Sequence, residues 1–258
     1  MKNLMKRPAW LAAGAGLVAA TTLVACGGGG GSSAGTGTLR MAMTDAPACG
    51  WDHVWVTVDR VRVHTSSTAG DNDAGWSEIV LPTPRGIDLL ALNNGVLEEL
   101  GQTSLPAGQY TQVRLVLVGN TGNNPTANAV QPTGGSVTPL TTPSGQQSGL
   151  KLQANFSVAA GQLADLVLDF DACKSVVTRG NSGQYNLKPV MSVTPRLATG
   201  IAGYVATGMA TQQALVTAQD ASGNVLRSAA PDPTTGRFFL PFLAAGSYSV
   251  VANANGFS

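Results

Sequence analysis

Apolar residues recur at every second position through much of the chain, which is the period of a half-buried β-strand. Val54, Val56 and Val58 share one strand face, with Trp55 and Thr57 on the other. The phase then flips to Val61 and Val63, which predicts a bulge or bend near Asp59 and Arg60. Leu150, Leu152, Ala154, Phe156 and Val158 form a second alternating set, and Leu166, Leu168 and Phe170 a third. Val113, Leu115 and Leu117 lie within an apolar run, so that strand should be covered on both faces. Leu187, Val190, Met191 and Val193 suggest a closing strand, placed near a sheet edge because Pro189 cannot donate to a ladder. The helical candidate, Ile87 to Leu100, is interrupted by Asn93-Asn94-Gly95 and should yield short helical turns at most.

The punctuation between these segments fits the same picture. Asn93-Asn94-Gly95 and Ala159-Ala160-Gly161 read as hairpin-like connections. The stretch from Gly119 to Gly149 is polar, carries four prolines, and reads as a mobile loop or a loosely paired β-excursion. A second unit starts near Gly200, with strand-like runs at Ile201–Val205, Leu215–Ala218, Gly236–Leu240 and Tyr248–Val251. One motif occurs in both units, Leu105-Pro106-Ala107-Gly108-Gln109-Tyr110 and Leu243-Ala244-Ala245-Gly246-Ser247-Tyr248. It predicts a tight turn that launches a strand, with the Tyr ring on the core and its hydroxyl on backbone. The fold expected is all-β, with two β-sandwich domains at residues 38–197 and 200–258.

The N-terminus departs from this pattern. Lys2, Lys6 and Arg7 precede an apolar run from Ala9 to Ala20, shorter than the ~20 residues of a spanning helix. The run ends in Leu23-Val24-Ala25-Cys26, which resembles the bacterial lipobox. The resemblance implies that residues 1–25 are a lipoprotein signal peptide and that Cys26 takes a diacylglyceryl thioether. Residues 26–37 would then be the lipidated Cys and a flexible Gly/Ser tether. The glycines are no phosphate cradle, because no Gly-Lys-Ser/Thr follows them. Gly27 does not resemble the Asp found after the lipidated Cys in proteins held at the inner membrane. The expected location is the cell envelope, at the outer membrane of a Gram-negative host.

Composition narrows the function. Charged residues are 11% of the chain and the net charge is +1, against ~25% charged in ordinary domains. Such a chain has no basic field with which to neutralise phosphates, which excludes nucleic acid as a partner. Residues 1–25 hold three of the 15 basic groups and none of the 14 acidic ones, so the chain from Cys26 onward is mildly acidic. His53 and His64 are the only histidines and read as polar-face residues, so neither a catalytic triad nor a three-His zinc site is expected. Ser148 and Lys151 match the Ser-x-x-Lys spacing of penicillin-binding enzymes. They sit at the start of an alternating strand, where residues three apart face opposite ways. No enzyme is expected.

With Cys26 lipidated, Cys49 and Cys173 remain. In an oxidising compartment an even pair reads as one disulfide, closing a loop of about 124 residues with a gain of ~4–5 kcal/mol. The alternatives are two free thiols or a metal pair. Such a bridge would bring the Asp45 segment close to Asp169 and Asp171, which lie two apart on one strand face. Three carboxylates could then make an oxygen-rich Ca²⁺ site. Otherwise Asp45 caps the turn before Pro47, while Asp169 and Asp171 cap loop amides or meet Lys174 or Lys188. Asp71-Asn72-Asp73-Ala74-Gly75 begins like a calcium loop, but its twelfth position is Pro82, so a polar hairpin tip is expected. Trp51, Trp55 and Trp76 are sugar-stacking candidates if exposed and core residues if covered.

Residues 38–195 resemble a bacterial family, domain of unknown function 4382. The resemblance is carried by Thr44-Asp45-Ala46-Pro47, Val54-x-Val56-Thr57-Val58, Asp88-Leu89-Leu90, Leu105-Pro106-Ala107-Gly108-x-Tyr110, Ser148-Gly149-Leu150-Lys151-Leu152, Leu168-Asp169-Phe170-Asp171 and Tyr185-x-Leu187-Lys188-Pro189. It implies a lipid-anchored or secreted β-domain without an assigned catalytic set. Residues 200–258 are similar to the carboxypeptidase regulatory-like, transthyretin-like sandwich through Gly203-x-Val205, Ala214-Leu215-Val216-x-Ala218, Gly236-x-Phe238 and Leu243-Ala244-Ala245-Gly246-x-Tyr248. That similarity implies a non-catalytic module, which would usually add another strand or two. The function expected is therefore a non-catalytic, lipid-anchored envelope protein acting as a structural or binding module, without a cofactor. Its partners would be the membrane, through the anchor, and an envelope protein or glycan. The alternative is a carbohydrate- or calcium-dependent ligand-binding lipoprotein.

Overall fold

The alternating segments become strands. The computed structural model describes residues 35–45, 50–196 and 199–257. The expected signal peptide, Cys26 and Cys49 lie outside the described residues. The first twelve strands are β1 (Thr36–Asp45), β2 (Trp51–His64), β3 (Ser77–Asp88), β4 (Glu98–Pro106), β5 (Gly108–Leu117), β6 (Ala129–Pro132), β7 (Thr138–Thr141), β8 (Leu150–Val158), β9 (Leu163–Phe170), β10 (Val176–Thr178), β11 (Tyr185–Leu187) and β12 (Met191–Pro195). One sheet runs β12-β9-β1-β4; the other runs β10-β11-β7-β6-β2-β5-β8, with β3 also paired to β2. Leu39, Met41 and Met43 of β1 and Leu166, Leu168 and Phe170 of β9 share one core with Val54, Val56 and Val58 of β2. Each such side chain contributes roughly 1.5–3 kcal/mol on burial, so this core is the main source of stability.

The predicted bulge is present. The register of β2 shifts between Val58 and Arg60 against both β3 and β5. One extra residue restores the phase, so Val61 and Val63 stay buried with Val54, Val56 and Val58. Strand β5 is covered on both sides, as its apolar run predicts, and the second cover is polar. The Gln112 amide donates to the carbonyls of Ser66 and Ala69 at 3.1 and 3.2 Å. Arg114, 4% exposed, donates to the carbonyls of Ala69 and Ser148 and pairs with Asp71. The Trp76 ring lies 4.5 Å from the Arg62 guanidinium and 4.6 Å from that of Arg114. A charge can be buried here because it is hydrogen-bonded and paired.

The short helical turn expected within Ile87–Leu100 and the paired alternative for Gly119–Gly149 are found, while both hairpin expectations change. The Ile87–Leu100 candidate yields a 3₁₀ turn at Leu89–Leu92, capped by Asp88, whose Oδ1 accepts from the Leu90 N–H. Asn94 and Gly95 then adopt φ of 55° and 83°, which stops the helix. That turn leads into β4 rather than closing a hairpin. Ala159-Ala160-Gly161 is also no hairpin turn, because it joins β8 and β9, which belong to different sheets. The polar stretch from Gly119 to Gly149 holds the paired strands β6 and β7. Buried Asn128 ties it down: its Oδ1 accepts from the Thr57 N–H at 3.0 Å, and its Nδ2 donates to the Val118 carbonyl at 2.7 Å.

The remaining strands are β13 (Gly200–Tyr204), β14 (Leu215–Gln219), β15 (Val225–Ala229), β16 (Arg237–Pro241) and β17 (Ser249–Asn253). They pair as β13-β16 and β15-β14-β17. Their own small core comprises Val216, Ala218, Ala229, Phe238, Leu240 and Leu243. Among the described residues, helix is limited to the 3₁₀ turn and two single turns, α1 (Ala172–Ser175) and α2 (Thr207–Ala210). The chain is all-β, and the two sheets of its first part form a sandwich.

The recurring Gly-x-Tyr motif does the same work twice. The Tyr110 hydroxyl donates to the Pro106 carbonyl at 2.9 Å, and the Tyr248 hydroxyl to the Ala244 carbonyl at 2.7 Å. Tyr110 is 2% exposed and its ring stacks on Phe156; Tyr248 is only half-buried. Tyr110→Phe keeps the ring but removes the bond that the buried side chain makes to the Pro106 carbonyl, so it should lower unfolding stability by about 1 kcal/mol in a urea titration. Tyr248→Phe should cost less, because its half-buried hydroxyl already competes with water for the bond. Equal losses at both positions would contradict the assignment.

Candidate functional site

The parallel pairing of β1 with β9 decides where the predicted carboxylates go. The register sets Thr44 beside Asp169 and Asp45 beside Phe170. Register partners in a sheet point the same way, so Asp45 shares the core face with Phe170 while Asp169 leaves from the other face. The backbones meet as the sequence suggests, but the side chains part. Asp45 is 5% exposed, and its Oδ1 accepts from the Ala172 N–H at 2.8 Å. Asp171 caps α1, accepting from the Lys174 N–H at 3.0 Å and pairing with Lys174 Nζ at 2.7 Å.

Asp169 meets a partner that local sequence does not suggest. Arg227 of β15 places its Nη1 3.4 Å from the Asp169 carboxylate, and its Nη2 donates to the Thr194 hydroxyl of β12 at 3.0 Å. The two charged side chains are 20% and 12% exposed. Burial pushes the Asp169 carboxyl above its ordinary range, against the pull of the Arg227 guanidinium; Asp171 adds to the rise and Lys174 opposes it. The oxygen-rich Ca²⁺ set expected of Asp45, Asp169 and Asp171 does not form. Arg227 and Lys174 stand where a cation would be needed, and Asp45 faces away. Among the described residues no group of three or more His, Cys, Asp or Glu side chains is placed to hold a metal ion.

The same cleft, about 200 Å³ in volume, is where the last five strands rest on the first sandwich. Asn94 Nδ2 donates to the Ala230 carbonyl at 3.0 Å. A Cβ at Gly95 would come within 3.2 Å of the Phe239 ring, so the residue's positive φ and the close packing both call for glycine. Sequence reasoning finds Asn94 and Gly95 as a turn but misses their role as a junction. It misses Arg227 altogether, since an arginine on an alternating strand carries no signal of its partner.

The other candidates are accounted for one by one. His64 is structural: Nδ1 accepts from the Ser66 N–H at 2.8 Å and Nε2 lies 2.9 Å from the Ala74 carbonyl, so the neutral Nε2–H tautomer satisfies both. His53 Nδ1 lies 2.6 Å from Asp88 Oδ2, and its ring stacks on Trp55 with centroids 4.7 Å apart. Asp73 accepts from the Gly70 N–H at 2.8 Å, and Asp71 pairs with Arg114, so the 71–75 stretch is a pinned loop tip. The Ser148 hydroxyl donates to the Ser144 carbonyl at 3.3 Å, and Lys151 is exposed on β8. Trp51 packs edge-on against Tyr185 at 5.2 Å on the margin of the core. Cys173 lies half-buried on α1 and has a bonding partner.

These observations fix the sign of a pH effect. Arg227→Met leaves Asp169 buried without its cation. Near pH 7 the variant should lose on the order of 2 kcal/mol in chemical denaturation. The raised carboxyl of Asp169 takes up a proton as pH falls through its folded-state value, which removes the unpaired charge. The deficit relative to wild type should therefore shrink on acidification toward pH 4. A deficit that is unchanged or larger at pH 4 would contradict the pairing.

Neither the curated proteins nor the solved structures yield a match to the chain. A family model does match, over residues 36–189, and that span takes in both sheets of the sandwich up to Pro189, including the Asp45, Asp169 and Asp171 region. The match covers more than half of the chain, which therefore belongs to the family described as Domain of unknown function (DUF4382).

Proposed function

We propose that the protein is a non-catalytic, lipid-anchored component of the bacterial cell envelope, acting as a structural or binding module. The observation that carries this reading is the part-buried Asp169–Arg227 pair. The groups best suited to chemistry in the cleft neutralise one another and join the last five strands to the family domain. Residues 200–257 act as an accessory module of the carboxypeptidase regulatory-like kind, a reading that rests on their sequence motifs and on their separate small core.

The anchor reading rests on the lipobox at Cys26 and the glycine tether behind it. A single acyl chain holds a protein only marginally, so a stable anchor needs the several chains that a lipidated, acylated Cys26 would carry. Among the described residues no helix is long and apolar enough to cross a membrane. We assign Cys173 to a disulfide with Cys49. Cys173 has a bonding partner, and the chain leaves β1 toward Cys49 from Asp45, which is hydrogen-bonded to the residue just before Cys173. The second reading, a carbohydrate-binding lipoprotein, is favoured by a separate cleft between Trp51 and β14.

The anchor is tested by fractionation: the wild-type protein should sediment with membranes, and Cys26→Ser should move to the soluble fraction. A Cys26→Ser protein that stays with membranes would overturn it. Thiol titration of the exported protein under denaturing, non-reducing conditions should find no free thiol, whereas two reactive thiols would exclude the disulfide.

A further inference from the structure

The largest cleft described lies beside the carboxylate cleft, with a volume of about 830 Å³. That is within the ~300–1,000 Å³ of typical ligand sites, which favour the seams between packed units. One wall comes from the family domain and includes Trp51 and Thr133; the other comes from the last five strands and includes Gln213, Leu215, Val225 and Ser228.

Its chemistry is selective. The charged groups lining it are already engaged: Asp171 is paired with Lys174, and the Asp52 carboxylate accepts from the Gly134 N–H at 3.0 Å. The neutral donors are not. The Trp51 indole N–H and the hydroxyls of Thr133 and Ser228 make no hydrogen bond within the described residues. Gln213 accepts from Asn255 Nδ2 at 2.8 Å through its Oε1, leaving the amide N–H groups unused. Gln213 also holds φ at 53°, a region that non-glycine residues rarely adopt. Backbone strain of this kind gathers at ligand clamps, where the surrounding structure holds a side chain in place.

We propose that this cleft binds a neutral saccharide. A sugar ring has an apolar C–H face suited to the Trp51 indole and a rim of hydroxyls suited to free neutral donors. Asp52 leaves the wall mildly negative, which disfavours acidic glycans. A fatty chain would leave the amide, indole N–H and hydroxyl groups unpaired, at a cost for each. The inference rests on the carbohydrate-binding reading and places it at named residues.

The test uses the purified full chain, with thermal-shift and tryptophan-fluorescence titrations. The probes are short neutral oligomers of glucose, mannose and N-acetylglucosamine, set beside acidic oligosaccharides, fatty acids and polyamines. A neutral oligomer should bind saturably, and Trp51→Ala should weaken it roughly tenfold. Because Trp51→Ala could disturb the core margin, Gln213→Gly is the second variant. Glycine suits the positive φ, so the fold should hold or gain stability while saccharide affinity falls several-fold. Trp55→Ala should leave binding unchanged. Binding that survives both Trp51→Ala and Gln213→Gly overturns the assignment. So does a response confined to the acidic, fatty or polyamine probes, although ligand binding as such would then stand. No response to any probe overturns both. Chromatography of the bound sugar separates a further point: shortened sugar would overturn the non-catalytic reading and leave the cleft assignment in place.

Discussion

Asp169 and Arg227 meet where the last five strands settle on the family sandwich, and the rest of the arrangement depends on that meeting. A carboxylate on the outer face of β9 is too buried to stand alone and too costly to neutralise by solvation. The guanidinium from β15 answers it, and its second bond, to Thr194 on β12, fixes the direction of approach. Asn94 and Gly95 complete the seat, one by a hydrogen bond to Ala230 and the other by making room for Phe239. An ion pair in such a position is weak evidence for stability, since two desolvated charges roughly offset their attraction. It is better evidence for specificity, because any other docking leaves a buried charge unpaired.

The geometry follows from one strand. β1 lies between β9 and β4, pairing parallel with the first and antiparallel with the second. Its register alone sends Asp45 inward to the Ala172 N–H and leaves Asp169 outward for Arg227. A shift of one residue in β1 would turn Asp45 outward, carry Arg40 toward the core, and take Leu39, Met41 and Met43 off the core face. The core thereby specifies the site.

Much of this was legible in the residues, for physical reasons. Period two identified β2, β8 and β9 because each alternates between apolar residues on the core face and more polar residues on the other. The phase flip at Asp59 was readable because a bulge costs one residue and changes the face of every side chain after it. The proximity of Asp45 to Asp169 and Asp171 followed from a proposed cystine, yet their divergence did not, since facing depends on a register that a single sequence does not print. β1 was missed as a strand although Leu39, Met41 and Met43 alternate; its motif drew attention to Asp45 instead. Ala159-Ala160-Gly161 looked like a hairpin because turn chemistry is local, while the choice between same-sheet and cross-sheet partners is not. Arg227 was invisible for the same reason: a long-range ion pair has no spacing rule.

A double-mutant cycle on Asp169→Asn and Arg227→Gln, followed by urea denaturation near neutral pH, tests the central claim most directly. If the pair seats the last five strands, the two substitutions should couple by about 1.5 kcal/mol or more, with the double variant less damaged than the sum of the singles. Losses that add to within ~0.5 kcal/mol would mean that the two charges stand near each other without holding the structure together.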